Sequence, residues 1–243
     1  MTLDAAHAHD YSHNTDIVPA HWRTPRPQVK ATVEDKIFDA LNTAGTKVRV
    51  RRNETIFNDG DTASHTYRIA SGTVRLCRHL ADGRRQVADF LSEGDVFGLT
   101  DEDQRTCSAE AISDVTLLAY PQTQIERAKR EAPGVNREIL SLITRKFLQS
   151  QNHLMMLGRQ SAKERIASFL LMLAERSGSS EGDTLPLPMG RLDIADFLGL
   201  TIETVCRVIS EMKRERIVGL PDLHSIVLNN IDALQALADG DDE

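Results

Sequence analysis

Cysteine is scarce in this 243-residue sequence: Cys77, Cys107 and Cys206 stand far apart and odd in number. That count excludes a disulfide framework and a four-thiolate metal or iron–sulfur centre. Thiols so placed are expected to be free in a reducing compartment. Long apolar runs are missing too, and none approaches the roughly 20 residues that cross a bilayer. The N-terminus MTLDAAHAHDYSHN lacks the basic-then-apolar order of a secretion signal, so a cytoplasmic chain with no membrane partner is expected. Positive charge is in short supply. The formal net charge is −7, which gives a nucleic-acid partner no support from bulk charge and leaves that function to local motif. There is no P-loop, no G-x-S-x-G, no H-E-x-x-H and no metal-spaced His/Cys set, so a non-enzyme without metal or cofactor is expected. What is present is ordinary for a globular chain of one or two domains: 40% hydrophobic and 27% charged residues.

Residues 1–28 are polar, rich in histidine and proline, and without periodicity, which predicts a tail. His7, His9, His13 and His21 have no cysteine or acidic ligand pattern beside them and read as solvated rather than metal-binding. From about 45 to 120 the texture is short alternating segments: VRVRRNETIF, TYRIASGTVRLCRHL, RQVADFL, DVFGL and DVTLLAY. NDGD, ADGR and SEGD supply turns, with Asp82–Gly83 the strongest hairpin signal. Such spacing predicts a β-roll, placed over residues 29–134. Helical periodicity follows Pro121, first in QTQIERAKREAP and then in a long helix over 135–158. Leu140, Ile143, Phe147, Ser150, Leu154 and Leu157 follow spacings of three and four, an a/d seam suited to a second copy of the chain. Ile139, Leu142 and Met156 widen the stripe, so a second face is expected to pack on the chain itself. A purely intramolecular helix would show the same stripe. Polar Ser150 and His153 within it favour the dimer seam.

Residues 159–238 read as helix, turn, helix and small hairpin, with an acidic tail over 239–243. Ile194, Ala195 and Leu198 mark the inward side of the first helix, Gly199 makes the turn, and Thr201 is a natural N-cap for the second. SIVLNN, after the Leu220–Pro221–Asp222 turn, supplies a wing. The class is thus α+β: an N-terminal β-roll, a long dimerisation helix and a C-terminal winged helix-turn-helix. The second helix, TIETVCRVIS, sends Ile202, Val205, Val208 and Ile209 inward by periodicity. Glu203, Cys206, Arg207 and Ser210 recur on the other side. In a helix-turn-helix that side enters the major groove. An arginine there matches guanine O6 and N7, and a carboxylate accepts from cytosine N4. Thr201 and Arg214 complete the expected DNA-facing set. Glu203 and Arg207, four apart, could instead pair with each other on a solvated face.

Roll, long helix and winged helix-turn-helix in this order resemble the CRP/FNR superfamily of bacterial transcription regulators. GRLDIADFLGLTIETVCRVISEMKRERIV carries the resemblance most specifically, with an E-x-x-S-R pattern in which Cys206 replaces the usual serine. RQSAKERIASFLLMLAERSG is similar to the hinge and following helix. The resemblance covers about residues 30 to 238. It implies double-stranded palindromic DNA with TTGA-like half-sites, read by Glu203 and Arg207, a homodimer, and an RNA polymerase contact near the turn Ala81–Asp82–Gly83–Arg84–Arg85, here Asp82, Arg84 and Arg85.

The departures from the family narrow the reading. No cysteine precedes Cys77, so the FNR iron–sulfur cluster has no ligands. GDVFGLTDEDQRTCSAEAISD keeps Arg105 but lacks the cyclic-nucleotide cassette and its ribose-binding glutamate. His79 and Cys77 are candidate axial ligands for a haem, although a single His beside a single Cys on a strand is usually structural. The remaining body resembles the FixK subgroup, which implies an activator of microaerobic, anaerobic-respiration or nitrogen-fixation genes that needs no small effector. A ligand-gated sensor, with haem or nucleotide in the roll, is the alternative. Cys206 brings a thiol beside a guanidinium early in a helix, a setting in which oxidation is eased, so it is the predicted redox residue.

Overall fold

The computed structural model describes residues 45–240. The predicted tail over 1–28, its histidines and the last acidic residues, 241–243, lie outside the described residues. Two four-stranded antiparallel sheets make the roll: β1-β8-β3-β6 and β2-β7-β4-β5. The strands are β1 (Thr46–Val50), β2 (Thr55–Phe57), β3 (His65–Ser71), β4 (Val74–His79), β5 (Arg85–Leu91), β6 (Val96–Phe97), β7 (Ser108–Ala111) and β8 (Val115–Pro121). Val50, Phe57, Ile69, Val74, Leu91, Phe97 and Leu117 fill the space between the sheets.

Two of the alternating segments each hold two strands. TYRIASGTVRLCRHL turns at Gly72, whose φ is +92° and where a Cβ would collide with the Asp114 carbonyl oxygen, so only glycine fits. VRVRRNETIF turns at Asn53, φ +67°, where the Arg51 N–H donates to Glu54 Oε2 at 2.8 Å. Alternation alone does not register a turn that local hydrogen bonding makes inside it.

Helix α1 (Gln122–Glu131) closes the roll and α2 (Pro133–Arg159) leaves it. Proline starts α2 two residues before the expected boundary, since a first-turn residue needs no N–H and its φ suits a helix. At 27 residues α2 is about 40 Å long. Val135, Ile139 and Leu142 bury against Tyr120, Ile125 and Ala128. On the opposite side Leu140, Ile143, Phe147 and Leu154 are 64, 52, 58 and 69% exposed, and Ser150, Leu148 and Met155 are exposed with them.

Leu157 and His153 do not share that exposed face. Leu157 packs inward on the C-terminal core. The His153 ring stacks on Phe197 with centroids 4.0 Å apart, and its Nε2 lies 2.8 Å from the Phe197 carbonyl. Leu154, between them, stays on the exposed face, while Leu157 and His153 lie on its flank and meet the chain's own body.

The C-terminal unit comprises α3 (Ala162–Ser177), β9 (Thr184–Pro186), α4 (Arg191–Leu198), α5 (Ile202–Arg214), β10 (Val218–Gly219), β11 (Ser225–Leu228) and α6 (Ile231–Asp239). Ser161 caps α3 through a capping box with Glu164. The strands form a three-stranded sheet, β10-β11-β9, so the wing hairpin gains a strand, β9, beyond the two that the sequence predicts. No helix among the described residues is long and apolar enough to cross a membrane.

The hydrophobic core of this unit runs without a break into the roll. Cys77, Val87, Phe90 and Ile112 of the β2-β7-β4-β5 side bury together with Phe169, Leu170, Ile194 and Phe197. Phe90, Phe169 and Phe197 meet with centroids 5.3 to 6.2 Å apart. Beside them Asp89 accepts from Lys146 Nζ of α2 at 2.9 Å and from Arg176 Nη2 of α3 at 3.3 Å, and Arg176 Nη1 donates to the Phe90 carbonyl at 2.6 Å. One carboxylate thus joins strand, long helix and C-terminal unit. Burial raises its pKa, but the two cations outweigh that and hold it below the ordinary carboxylate value. A depressed pKa contributes stability that is present above the unfolded-state value of about 3.9 and lost as pH falls through the folded value. Asp89→Asn should therefore cost about 2 kcal/mol at neutral pH, and the gap to wild type should close below about pH 4, as read by urea denaturation across pH.

Candidate nucleic-acid interface

The first helix of the pair, α4, is short and is held by its first turn. Asp193 Oδ2 accepts from the Gly190 N–H at 3.2 Å, satisfying a free helix-start donor. Its other oxygen, Oδ1, accepts from Arg75 Nη1 of β4 at 2.8 Å and from Arg85 Nη2 of β5 at 2.5 Å. Asp196, one turn later, accepts from Arg85 Nε at 2.8 Å, while Glu110 of β7 takes the Nε of Arg75 at 2.8 Å. The side chains of Arg75 and Arg85 are nearly enclosed, so each guanidinium depends on these carboxylates.

Arg85 is thereby corrected. Expected on an exposed hairpin surface beside Asp82 and Arg84, it points inward to α4 and offers nothing to a partner. Asp82 and Arg84 do lie exposed at the tip and pair with each other at 2.7 Å.

The turn between α4 and α5 uses Gly199 in the left-handed region, φ +62°, and the Leu200 N–H reaches back to the Ala195 carbonyl at 3.0 Å. Arg165 of α3 fixes this turn to the end of α2. It donates to the carbonyls of Gln160, Leu198 and Leu157 at 2.9, 2.9 and 2.8 Å. Thr201 then caps α5, its Oγ1 accepting from the Thr204 N–H at 3.3 Å.

Val205, Val208, Ile209 and Met212 of α5 are buried. Ile202 is not: expected inside, it is 39% exposed in the first turn, where it precedes the packed stretch. Glu203, Arg207, Ser210 and Arg214 advance by near-whole turns, so they line up along one side of the helix, and all four are exposed. Cys206 is exposed next to that line.

Arg207 donates to Glu211 Oε1 at 3.1 Å, toward the C-terminal end, and not to Glu203. Glu203 keeps its carboxylate well charged, since its own N–H and the Thr201 hydroxyl bond to it and hold its pKa down. The Ser210 hydroxyl donates to the Cys206 carbonyl at 2.7 Å, so its donor is spent on the helix and only its lone pairs face outward. Arg216 follows the helix with φ +60°, an unusual conformation for a side-chain-bearing residue, and brings a further exposed cation beside Lys213 and Arg214.

A capped, largely exposed helix with a carboxylate and a guanidinium one turn apart, carried on a roll by a long helix, has counterparts among known proteins. Residues 47–131 match the cyclic nucleotide-binding domain family and residues 164–237 the Crp-like helix-turn-helix domain family. The chain is 35% identical to the nitrogen fixation regulation protein FixK of Azorhizobium caulinodans, over 89% of this chain and 88% of that one. It is 41% identical to FixK of Rhizobium meliloti, over 75% of this chain and 82% of that one. The solved structure of FixK2 from Bradyrhizobium japonicum superposes with a TM-score of 0.77 at 34% identity, covering 80% of this chain and 98% of that one.

The chain belongs to the FixK-type CRP/FNR regulators. Its relatives in this family are transcription regulators rather than enzymes, and the helix-turn-helix is its DNA-binding part. Within this FixK-type chain, sequence reasoning missed the ring of Arg75, Glu110, Arg85, Asp193 and Asp196. The one signal in the sequence is Asp193 in the first turn of a helix, and that signal reads equally well as a local cap.

Proposed function

We propose that this regulator binds palindromic DNA with TTGA-like half-sites as a homodimer, without a small effector, and activates microaerobic, anaerobic-respiration or nitrogen-fixation genes. The observation that carries the reading is the exposed line of Glu203, Arg207, Ser210 and Arg214 on a capped helix whose Glu203 and Arg207 do not neutralise each other. The exposed Arg207 needs only to leave Glu211 to reach a guanine edge, and Glu203 is an acceptor for cytosine N4. Lys213, Arg214 and Arg216, also exposed, suit the flanking phosphates and give the locally positive end that the acidic chain lacks in bulk.

Independence from an effector is supported by Arg105. Its guanidinium is buried, donates to the carbonyls of Gly98, at 2.5 Å, and His65, and lies 4.4 Å over the Phe57 ring. A phosphate taking both terminal nitrogens of this arginine would have to break both carbonyl bonds. Gly98, φ +76°, lets the guanidinium come so close that a Cβ there would stand 2.9 Å from it. Purified protein should retard a TTGA-N6-TCAA fragment without cyclic AMP, and Arg207→Ala should weaken that binding by about 1–3 kcal/mol with the fold intact. Retardation only on addition of nucleotide would favour the ligand-gated alternative.

The homodimer is supported by the exposed apolar line Leu140, Ile143, Phe147 and Leu154 on a helix about 40 Å long. Such a face left in water is costly, and the a/d spacing suits a second copy of the same helix. Half-sites one helical turn apart, about 34–36 Å, then need both copies at once. Phe147→Glu should sediment as monomer and lose roughly 100-fold or more in affinity for the palindrome, since bivalent engagement is lost. RNA polymerase would be met at the hairpin tip by Asp82 and Arg84, without Arg85.

Cys206 supports a redox brake. It is exposed on α5 next to the line of Glu203, Arg207, Ser210 and Arg214. The thiolate sulfur attacks hydrogen peroxide, the O–O bond breaks, and sulfenic acid and hydroxide form, the hydroxide taking a proton from solvent; further oxidation by peroxide leaves a fixed negative charge beside the phosphates. Such a charge opposes binding, most strongly at low salt. Peroxide should abolish retardation by the native protein and spare Cys206→Ser; equal sensitivity in that variant would move the target to Cys77 or Cys107.

A further inference from the structure

Away from the recognition helix, one cluster has a chemistry that DNA binding does not use. Cys77 and His79 stand two apart on β4, and Glu110 stands on the neighbouring β7. Arg75 and Glu110 are directly opposed in the ladder, and residues two apart project on one face. The Cys77 sulfur, an imidazole nitrogen of His79 and a carboxylate oxygen of Glu110 all lie within 4.8 Å of one another. Cys77 is buried, Glu110 half-buried and His79 exposed, so the trio has a sealed floor and an opening to solvent. The thiol bonds to Glu110, which leaves the exposed imidazole as the most adjustable of the three donors.

We propose that Cys77, His79 and Glu110 bind one divalent metal ion of the borderline-soft class that zinc represents. A thiolate, an imidazole and a carboxylate are the donors such an ion takes, and three protein donors with one water complete a tetrahedron. With bonds of about 2.0–2.3 Å the donors would stand about 3.4 Å apart, a contraction of up to about 1.4 Å that the exposed His79 at the strand end can supply. On binding, the thiol proton leaves to solvent, the sulfur becomes the metal's ligand, and Glu110 turns one oxygen from the thiol to the metal. Burial and Glu110 disfavour the Cys77 thiolate more than the nearby Arg75 and Arg85 favour it, and a bonded dication adds the positive charge that tips this balance. Glu110 also holds Arg75, whose other nitrogen holds Asp193, so ligation here acts on the contact that seats α4. This site is independent of the DNA reading.

Cobalt(II) is the probe, because thiolate ligation gives a charge-transfer absorption that a histidine-only site in the N-terminal tail cannot give. Full-length protein is stripped with chelator and titrated in a Cys107→Ser/Cys206→Ser background, which leaves one thiol. One equivalent of cobalt per chain should raise the band, and zinc should displace it. Cys77→Ser should abolish the band. His79→Ala, at an exposed strand end where folding is not at stake, should weaken binding at least tenfold. Absence of the band, cobalt bound without it, or a band unchanged in His79→Ala would overturn the site.

Discussion

A single carboxylate, Asp193, seats α4, the first helix of the helix-turn-helix, on the roll. One of its oxygens closes the N-terminus of α4 and the other accepts two guanidiniums from the roll, at 2.8 and 2.5 Å. Each of these groups is nearly out of water, where an unmatched charge costs several kcal/mol. The three therefore stand or fall together. Moving α4 away from the β4–β5 hairpin would leave Arg85 without either carboxylate and Arg75 with Glu110 alone, so the roll and the DNA-binding unit are coupled by charge as well as by the apolar core they share.

Arg165 does for the backbone what Asp193 does for the side chains. By donating to three carbonyls it satisfies the end of α2 and the turn before α5 with one planar group. The direction of the long helix and the entry of the recognition helix thus become one constraint. A dimer built on α2 would then set the spacing of the two recognition helices directly, with little left to hinge motion.

The roll is filled by its own side chains. Arg105 gives its two terminal nitrogens to Gly98 and His65, leaves its buried Nε without a partner and stacks on Phe57, while Tyr67, Phe57 and Phe97 pack with ring centroids 5.3 to 6.0 Å apart. The roll's outer sheet face, carrying Arg75, Cys77, Arg85 and Val87, works as the seat for α4.

Local order is legible in the amino acids. Alternation over 45–120 reads as strands, the DG turn as a hairpin, the three-four spacing as a long helix, and Gly199 with Thr201 as the turn and cap of a helix pair. These follow from periods and turn chemistry that act within a few residues, which is why spacing alone puts Glu203 and Arg207 on one side of TIETVCRVIS. The breaks at Gly72 and Asn53 are hidden, because a turn inside an alternating run shows only in the hydrogen bonds it makes. What tertiary structure alone decided is which charges meet across more than a hundred residues of chain. Arg85, equally at home on a hairpin tip, is drawn to Asp193 and Asp196; Leu157 and His153, on the long helix, pack on the C-terminal core and on Phe197. Long-range pairing of buried charge and packing across distant elements leave no mark on a short window of sequence, and they seat the first helix of the helix-turn-helix against the roll.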